Sequence, residues 1–273
     1  METSTAIERF DQLVSGTGEG LDIAECALTA AAALSAEVDV QAGLARLDDL
    51  AAGASHRIES AETPLGQINA LNDHLFDELG FAGNMDDYYD PRNSLMNQVV
   101  ERRLGIPITL SLLYIEVGAR LGVPLAGVGM PGHFLVRHVE ENGLYVDPFN
   151  RGVILNEPEC RQQYERINEG MRWDPAFLAA VSPRSLLARM LRNLAAIWTQ
   201  REELALAERV MTLLISIQPG EAGHHRDRGM LRFRQGHQAQ ALEDLERYVD
   251  PLVRAPDAWY VRRLIERITR AGS

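Results

Sequence analysis

A histidine and an aspartate in the middle of the chain have types and spacing that could do chemistry. His133 opens a predicted strand, and Asp147 follows the next predicted strand 14 residues later. The Asn-Gly pair at 142–143 between these strands predicts a β-hairpin that brings their polar ends together. The carboxylate could then hold the imidazole in one orientation, as in a catalytic triad. The alternative is structural: His133 bonds the backbone, and Asp147 caps the turn before Pro148.

Other polar groups indicate structure rather than chemistry. Asp86, Asp87 and Asp90 lack the glycine and distal glutamate of a calcium-binding loop, and they predict a solvated acidic loop. Cys26 and Cys160 are far apart and outside any CxxC or His/Cys cluster. Neither a zinc site nor a disulfide framework is therefore predicted. We expect no metal and no cofactor.

The charged residues exclude several classes of function. The chain has 273 residues, and all 27 of its basic residues are arginines, which excludes a Walker-type lysine, a Schiff-base lysine and a pyridoxal-phosphate anchor. The net charge of −12 is uneven: residues 1–90 hold 18 acids and 3 arginines, and residues 91–273 hold 21 acids and 24 arginines. This distribution argues against nucleic-acid binding. An arginine-only basic surface favours a protein partner, because guanidinium groups offer a fixed fork to carboxylates.

No segment of the sequence is typical of a membrane span or of a secretory signal. The longest helix-like apolar stretch, at 24–34, is too short to cross a bilayer. The start of the chain, METSTAIERF, carries acids and no long apolar run. We therefore expect no membrane association and a cytoplasmic location.

The first part of the chain is predicted to be helical. Apolar residues recur at helical spacing through most of residues 3–82. Thr63 is placed to cap a helix with Pro64 at its first position, and Gly80 is placed to end that helix.

The middle of the chain predicts two helices followed by a small sheet. Asn93 or Ser94 can cap the first helix, which ends at Gly105. Pro107 then opens a largely apolar helix that Gly122 closes, and this helix is predicted to be central and buried. Short β-branched or alternating runs predict strands at 125–130, 133–139, 144–146 and 153–155.

The last part of the chain returns to helix and contains an internal repeat. Within residues 184–273, small residues recur at a separation of 34: Ala195 pairs with Gly229, and Ala207 pairs with Ala241. Small residues at these positions let paired helices approach closely, which is typical of a tetratricopeptide repeat. An ordinary pair of helical hairpins is the alternative.

The second repeat unit is degenerate, and a last helix follows it. Arg232 stands where the first unit has Trp198, and Pro251 arrives two residues earlier than the proline of the first unit. A helix at 257–270 would cap the stack. The predicted fold class is α+β and mostly helical. The predicted domains are 1–181, with core motifs at 93–155, and 182–273 for the repeats.

Three stretches between Asn93 and Gly152 resemble the transglutaminase-like core, and most closely the SirB family of bacterial proteins. They read NSLMNQVVERRLGIPITLSLLYIEVGARLGVPL, GMPGHFLVRH and YVDPFNRG. A tetratricopeptide-like tail is also typical of that family. The resemblance implies a papain-like arrangement, in which a cysteine nucleophile begins a central helix that faces a small antiparallel sheet. His133 and Asp147 match the histidine and aspartate of that arrangement.

The nucleophile position departs from the family pattern. Counted back from Gly122, the cysteine position falls near Pro107 or Ile108, and neither side chain can attack a carbonyl. Thr109 and Ser111 lie further along the helix. One helical turn advances about 5.4 Å, and each residue turns the side chain by about 100°. Neither hydroxyl can therefore replace the cysteine in place without a shifted helix.

Six polar residues of the same segment are candidates for lining a binding cleft. Arg102 and Arg103 could bind an anion or a partner's carboxylate; alternatively, they interact with the negative end of a helix dipole. The candidates are Asn93, Asn97, Arg102, Arg103, Thr109 and Ser111.

Two hypotheses about function follow. The first is a non-catalytic scaffold, in which a degenerate transglutaminase-like domain recognises a peptide or protein and the repeats add a second groove. The second is a hydrolase or acyltransferase, in which His133 is the general base and Asp147 orients it.

Overall fold

The N-terminal part of the chain forms four helices, as the apolar spacing predicts. The computed structural model describes residues 2–16, 20–250 and 257–271. Asp22, Asp39 and Thr63 each accept a hydrogen bond from the first turn of the helix that follows, at 2.8, 3.0 and 3.1 Å. Pro64 lies in the first turn after Thr63, which confirms that predicted start. The helices are α1 Thr3–Val14, α2 Ile23–Ala32, α3 Val40–Glu59 and α4 Pro64–Asn72.

A short parallel strand pair follows α4. The helix continues as a π-helical turn, Asp73–Glu78, and Gly80 then adopts a left-handed φ of +76°. Strand β1 (Ala82–Gly83) pairs in parallel with β2 (Leu104–Gly105). This pairing corrects the prediction that Gly105 ends a helix, because Gly105 lies in β2. The carbonyl of Gly105 accepts a hydrogen bond from the N–H of Asn84 at 2.9 Å.

The helix before β2 is shorter than predicted and begins without a side-chain cap. Helix α5 spans Met96–Arg102. Asn93 and Ser94, predicted as caps, instead lie in a short 3-10 helix, Pro91–Ser94. The amide of Asn93 is occupied elsewhere, because its Nδ2 donates to the carbonyl of Asp87 at 2.7 Å.

The central helix α6, Pro107–Arg120, is buried on most sides, as predicted. Proline at its first position needs no hydrogen-bond partner for a backbone N–H. The buried hydroxyl of Tyr114 donates to Oδ1 of Asn72 at 3.0 Å and thereby ties α6 to α4. Gly122 follows the helix with a φ of +74°, which confirms the predicted end.

A four-stranded antiparallel sheet packs beside α6, with the strand order β3-β4-β5-β6. The strands are β3 Leu125–Val128, β4 Leu135–His138, β5 Tyr145–Asp147 and β6 Val153–Leu155. The β4–β5 hairpin has Val136 opposite Val146. The predicted hairpin is confirmed, and its loop spans 139–144, where the predicted strands leave 140–143. At the start of this loop, the ring Nδ1 of His138 accepts from the N–H of Glu141 at 3.1 Å.

Helix α7, Glu157–Ile167, covers one face of the sheet. It begins with a reciprocal cap, in which Asn156 accepts from the N–H of Glu159 at 3.0 Å and Glu159 accepts from the N–H of Asn156 at 2.8 Å. Its buried Cys160 and Tyr164 pack in a cluster with Val128 and Leu135 of the sheet.

Helical hairpins form the C-terminal part. Ala207 is fully buried, and a Cβ atom on Gly229 would lie 2.9 Å from Cγ of Leu245, so these helices approach closely where the repeat predicts small residues. Pro251 lies outside the described residues. The helices are α8 Pro183–Gln200, α9 Leu204–Ile217, α10 Gly223–Arg234, α11 Gln238–Tyr248 and α12 Ala258–Ala271.

One hydrophobic cluster extends from α1 to α10, so the acidic N-terminal helices pack against the first repeat helices. Arg184 of α8 reinforces this contact, because it donates to the carbonyl of Val14 at 2.6 Å and to the carbonyl of Ile217 at 2.9 Å. Among the described residues, no helix is both long and apolar enough to cross a membrane.

Candidate functional site

His133 and Asp147 lie side by side where β4 begins and β5 ends. His133 stands two residues before β4, and Asp147 is the last residue of β5. Nε2 of His133 is 2.8 Å from Oδ2 of Asp147. Both side chains are buried, with exposed fractions of 7% and 2%. The hairpin therefore brings these two residues together, as the sequence predicts.

The carboxylate of Asp147 is fixed by several donors. Nδ2 of Asn150 and Nε2 of Gln163 each donate to Oδ2 at 2.8 Å, and the backbone N–H of Asn150 donates to Oδ1 at 3.2 Å. Burial disfavours the ionised carboxylate, but the hydrogen bonds from His133, Gln163 and Asn150 outweigh it, and the pKa of Asp147 is lowered. Asp147 is therefore an ionised acceptor at neutral pH.

The ring of His133 points Nε2 toward the carboxylate of Asp147 and leaves Nδ1 for another contact. Because an ionised Asp147 can only accept a hydrogen bond, Nε2 of His133 is the donor. In the neutral imidazole the other nitrogen, Nδ1, then carries the lone pair and can accept. Within the described part of the chain, Nδ1 has no hydrogen-bond partner. The ring of Phe149 packs edge-on at a centroid distance of 6.0 Å. The backbone is also held, because Arg189 donates to the carbonyl of His133 at 2.9 Å.

His133 lines a cavity of about 200 Å³ between the core and the first repeat helix. The start of α6, the loop before β4 and helix α8 form its walls. No aspartate, glutamate or cysteine lies among its lining residues. These residues are Tyr88, Ile106, Pro107, Ile108, Gly132, His133, Phe134, Arg189 and Asn193.

The start of α6 presents Pro107 and Ile108 to this cavity, and neither is a nucleophile. The hydroxyl of Thr109 points elsewhere, because it donates to the carbonyl of Asn93 at 2.6 Å and accepts from the N–H of Ile106 at 3.1 Å. Ser111 is fully buried, and its hydroxyl has no hydrogen-bond partner among the described residues. Neither hydroxyl lines the cavity beside His133.

Both cysteines are buried thiols away from the cavity. Cys26 lies in α2, and Cys160 lies in α7 under the sheet. Burial, reinforced by nearby carboxylates, raises the pKa of Cys26 to about 12 and the pKa of Cys160 to about 12. At neutral pH each is therefore a protonated thiol, which is a poor nucleophile. Among the described residues, no cluster of three His, Cys, Asp or Glu side chains is placed to hold a metal ion.

The six polar residues expected to line the cleft lie outside the cavity that His133 lines. Arg102 pairs with Asp90 at 3.2 Å and donates to Oδ1 of Asn93 at 3.3 Å, so both residues are used within the core. Arg103 has a left-handed φ of +58° and donates to the carbonyl of Leu79 at 2.7 Å. Contacts within the core thus explain the placement of Asn93, Arg102 and Thr109, whereas Arg103 is exposed. The six are Asn93, Asn97, Arg102, Arg103, Thr109 and Ser111.

The acidic loop is only partly solvated, which corrects the expectation for Asp90. Asp86 and Asp87 are exposed, but Asp90 is 4% exposed. Burial opposes ionisation of Asp90, yet hydrogen bonds and charge from Arg92 and Arg102 lower its pKa. The ion pairs fold this end of the loop against the core.

Arg189 and Asn193 of the cavity were not identified from the sequence. They lie on a repeat helix more than fifty residues from His133, and only tertiary packing brings them to it. One signal was available for Arg189: no acid stands three or four residues away on its helix, so no local ion pair occupies its charge.

A second, larger groove lies between α8, α9 and α10 of the repeat part. It has a volume of about 660 Å³ and a mostly apolar floor that includes Ala195, Met211 and Leu214. Arg192 and Arg234 stand on its lining. Grooves between stacked helical repeats are surfaces that such proteins use for binding.

Comparison with known families agrees with this architecture. The family model described as "Transglutaminase-like superfamily" matches residues 41–192, more than half of the chain. The model described as "Tetratricopeptide repeat" matches residues 177–266. The two matches overlap at α8, the helix that carries Arg189. The chain therefore belongs to the transglutaminase-like superfamily and carries tetratricopeptide repeats in its C-terminal part.

Curated relatives share this core. A protein of Xylella fastidiosa (strain Temecula1) named "UPF0162 protein" is 44% identical over 188 residues, 67% of this chain and 67% of that protein. A "UPF0162 protein" of Vibrio cholerae is 25% identical over 254 residues, 92% of this chain and 94% of that protein. Human "F-box only protein 21" is 37% identical over 152 residues, 52% of this chain but only 23% of that protein.

Proposed function

We propose that the chain is a non-catalytic scaffold that binds a protein or peptide. In this proposal the cavity beside His133 is a recognition site within a degenerate transglutaminase-like domain, and the groove of the repeats is a second site. The observation that carries the proposal is the occupation of the cavity wall at the start of α6 by Pro107 and Ile108, where the family arrangement has a nucleophile.

The chemistry of the surrounding groups supports this proposal. An acyl-transfer reaction needs a nucleophile within hydrogen-bond reach of its base. The two thiols are buried and protonated, and the hydroxyl of Thr109 is committed to backbone groups. His133 and Asp147 then serve recognition, because a fixed imidazole with a free Nδ1 is a directional acceptor for a ligand N–H.

Selection of binding peptides on the full chain tests the proposed repeat groove. Ala196 is exposed on the groove lining, and Ala196→Trp would fill the groove without removing a buried contact. Ala205→Trp is the matched control, because Ala205 is exposed on α9 away from the groove lining. We expect selected peptides to lose at least tenfold in affinity with Ala196→Trp and to keep their affinity with Ala205→Trp. Equal binding to both variants would contradict a role for this groove.

The second candidate is a hydrolase or acyltransferase that uses water or a substrate group as the nucleophile. The 2.8 Å contact between His133 and Asp147 favours it, because such a pair can activate a proton donor. Turnover of p-nitrophenyl acetate and of a glutamine-containing peptide would test it. A rate that falls with His133→Ala would support this candidate and refute the non-catalytic proposal; an unchanged background rate would refute this candidate.

The finer assignments belong to the same proposal. We place the chain in a SirB-like branch of the superfamily, with a core and N-terminal part at 1–181 and a repeat part at 182–273. The overlap of the two family matches at 177–192 supports a boundary near α8. We also propose a cytoplasmic location and partners that are proteins or peptides rather than nucleic acid or membrane, with the uneven charge as support.

A further inference from the structure

The cavity beside His133 contains an arginine that has no acid partner among the residues that the structure describes. Arg189 projects from α8, and its Nη2 donates to the carbonyls of Met130 at 3.1 Å and His133 at 2.9 Å. Its guanidinium carbon lies 5.3 Å from the ring centre of Phe134. Throughout the described ranges, no carboxylate lies within 4.0 Å of this guanidinium. Backbone carbonyls hold the group in place but leave its full charge uncompensated.

Four other sheltered arginines show the contrast, although Arg184, like Arg189, bonds only backbone carbonyls among the described residues. Arg102, Arg120, Arg228 and Arg232 have side chains between 12% and 22% exposed, and each pairs with a carboxylate at 2.7 to 3.2 Å. Arg189 instead has Arg192 near it, and burial together with that like charge lowers its pKa. An anion would therefore find in Arg189 a desolvated cation that is already positioned.

The rest of the lining supplies an amide, a hydroxyl and an imidazole nitrogen that a ligand can contact. Within the described part of the chain, the side-chain amide of Asn193 and the hydroxyl of Tyr88 have no hydrogen-bond partner. His133 is 7% exposed, and its Nδ1 is the acceptor described above. The cavity thus combines a cation, an amide and a hydroxyl that can each donate or accept, and an imidazole nitrogen that accepts.

We propose that this cavity binds the C-terminal carboxylate of a partner polypeptide, an inference that rests on the proposed recognition role of the site. Arg189 and Asn193 would bind the carboxylate, and Nδ1 of His133 would accept the N–H of the terminal residue. A chain terminus carries that acid and that N–H on the same residue, whereas a free inorganic anion has no such N–H. The positive charge of Arg189 and the Nδ1 acceptor of His133 beside it together favour this ligand chemistry.

The size and surroundings of the cavity fit one terminal residue. A volume of about 200 Å³ corresponds to about seven water molecules at about 30 Å³ each, enough for a carboxylate and a small side chain. Beside it, Tyr88 makes edge contacts with Tyr89 and Phe149, and the neighbouring Met85 is 74% exposed. These apolar groups could contact the residues that precede the terminus.

Titration of the full chain with short model termini tests this inference. The probes are N-acetyl-glycyl-alanine, its C-terminal amide, acetate and inorganic phosphate, and the readout is the NMR signal of the His133 ring, assigned with His133→Ala. We expect the dipeptide acid to shift this signal in a saturable way, and the amide to bind at least tenfold more weakly. Arg189→Gln should weaken binding of the acid about tenfold or more, because it removes a charge-assisted hydrogen bond.

Two further variants keep the test decisive. Arg247→Gln removes an exposed arginine of α11 that pairs with Glu243 at 2.9 Å and lines neither the cavity nor the repeat groove, and it should leave binding within twofold. If Arg189→Gln fails to fold, Asn193→Phe serves as the test variant in its place. The phenylalanine would fill the cavity, and the substitution removes no hydrogen bond among the described residues. Asn193→Phe should abolish the shift of the His133 signal.

Three results would overturn the inference. Equal binding of acid and amide would exclude a carboxylate site, and so would the absence of saturable binding by any probe. Phosphate or acetate binding as tightly as the dipeptide acid would indicate a free-anion site rather than a chain terminus. None of these results affects the non-catalytic proposal, which fails instead if the amide probe is hydrolysed at a rate that depends on His133.

Discussion

Two buried aspartates, one in the core and one in the repeats, each contact a histidine. In the core, Asp147 is 1% exposed and lies 2.8 Å from His133. In the repeats, Asp244 is 1% exposed and lies 3.0 Å from Nδ1 of His225. By distance and burial alone, the two pairs are alike.

Their remaining partners differ. Asp147 receives its other hydrogen bonds from neutral amides. His133 lines the cavity, and its Nδ1 has no hydrogen-bond partner among the described residues. Asp244 is surrounded by arginines: Arg228 contacts it with two nitrogens at 2.7 and 2.8 Å, and Arg232 contacts it at 2.8 Å. Arg232 also pairs with Glu208 at 2.8 Å.

The difference shows that a His–Asp contact does not by itself define a reactive site. At Asp244 the arginines compensate the carboxylate and fill the space between α10 and α11, so the cluster supports the repeat. This cluster also explains the degenerate repeat position, because Arg232 stands where the first unit has Trp198 and meets a carboxylate rather than an apolar core. At Asp147 the cavity remains accessible to a ligand.

Removal of the repeat carboxylate should have the largest effect on stability. Asp244→Ala leaves Arg228, 12% exposed, without an acid partner. Breaking a buried ion pair on one side costs about 3–5 kcal/mol, so we expect the free energy of unfolding to fall by that amount. Urea unfolding followed by circular dichroism measures it.

A surface acid of the same helix provides the control. Glu243 is 62% exposed and pairs with Arg247 at 2.9 Å. Glu243→Ala should change the free energy of unfolding by less than about 0.5 kcal/mol. If Asp244→Ala were as mild as this control, the structural role assigned to the repeat cluster would be wrong.

Removal of the core carboxylate should cost less. Asp147→Ala leaves Asn150 and Gln163 without their acceptor, and both are neutral groups that can turn toward water. We expect a loss of about 1–3 kcal/mol in the free energy of unfolding, measured in the same way. Asp147→Asn keeps an acceptor oxygen and should recover part of this loss. A loss larger than that of Asp244→Ala would reverse the comparison.

Acid should lower the free energy of unfolding through protonation of both Asp147 and Asp244. The pKa values of Asp147 and Asp244 are lowered in the folded chain, although burial opposes this, because hydrogen bonds and charges favour the carboxylates. Each carboxylate therefore stabilises the fold above the ordinary aspartate pKa of about 3.9, and this contribution is lost as the pH falls through the folded pKa. Asp244→Asn should make the loss of stability below about pH 4 shallower. An unchanged slope would contradict the assigned shift.

The two histidines should have the smallest effects on stability. His133→Ala and His225→Ala each remove one hydrogen bond to a carboxylate that keeps other donors, so each should cost about 0.5–1.5 kcal/mol. Only His133→Ala should also abolish the binding of peptide termini, measured by calorimetry. Loss of that binding in His225→Ala with the fold intact would refute the division of roles.

Much of the frame around the site was predictable from local signals. The caps and prolines at Thr63, Pro64 and Pro107 define helix starts through short-range geometry, and alternating runs define the strands. The approach of His133 to Asp147 followed from one hairpin. These are interactions between residues close in sequence.

The composition of the cavity was not predictable in the same way. Arg189 approaches His133 only because the first repeat helix packs against the core. Asn93 and Thr109 have the residue types of a cleft, but the Asn93 amide donates to the carbonyl of Asp87 and the Thr109 hydroxyl donates to the carbonyl of Asn93, both inside the core. Sequence shows that a side chain is polar; packing decides whether it faces a cavity or the interior.

The most direct test of the account is the intact mass of the full chain after exposure to an acyl donor and to iodoacetamide at neutral pH. We predict that no cysteine of the wild-type protein gains an adduct, because both thiols are buried with pKa values of about 12 and no thiol or aliphatic hydroxyl lines the cavity. Ile108→Cys, which places a thiol on the cavity wall, should gain one adduct and show that the reagents reach the site. A stoichiometric acyl adduct on folded wild-type protein that disappears in His133→Ala would contradict the central claim.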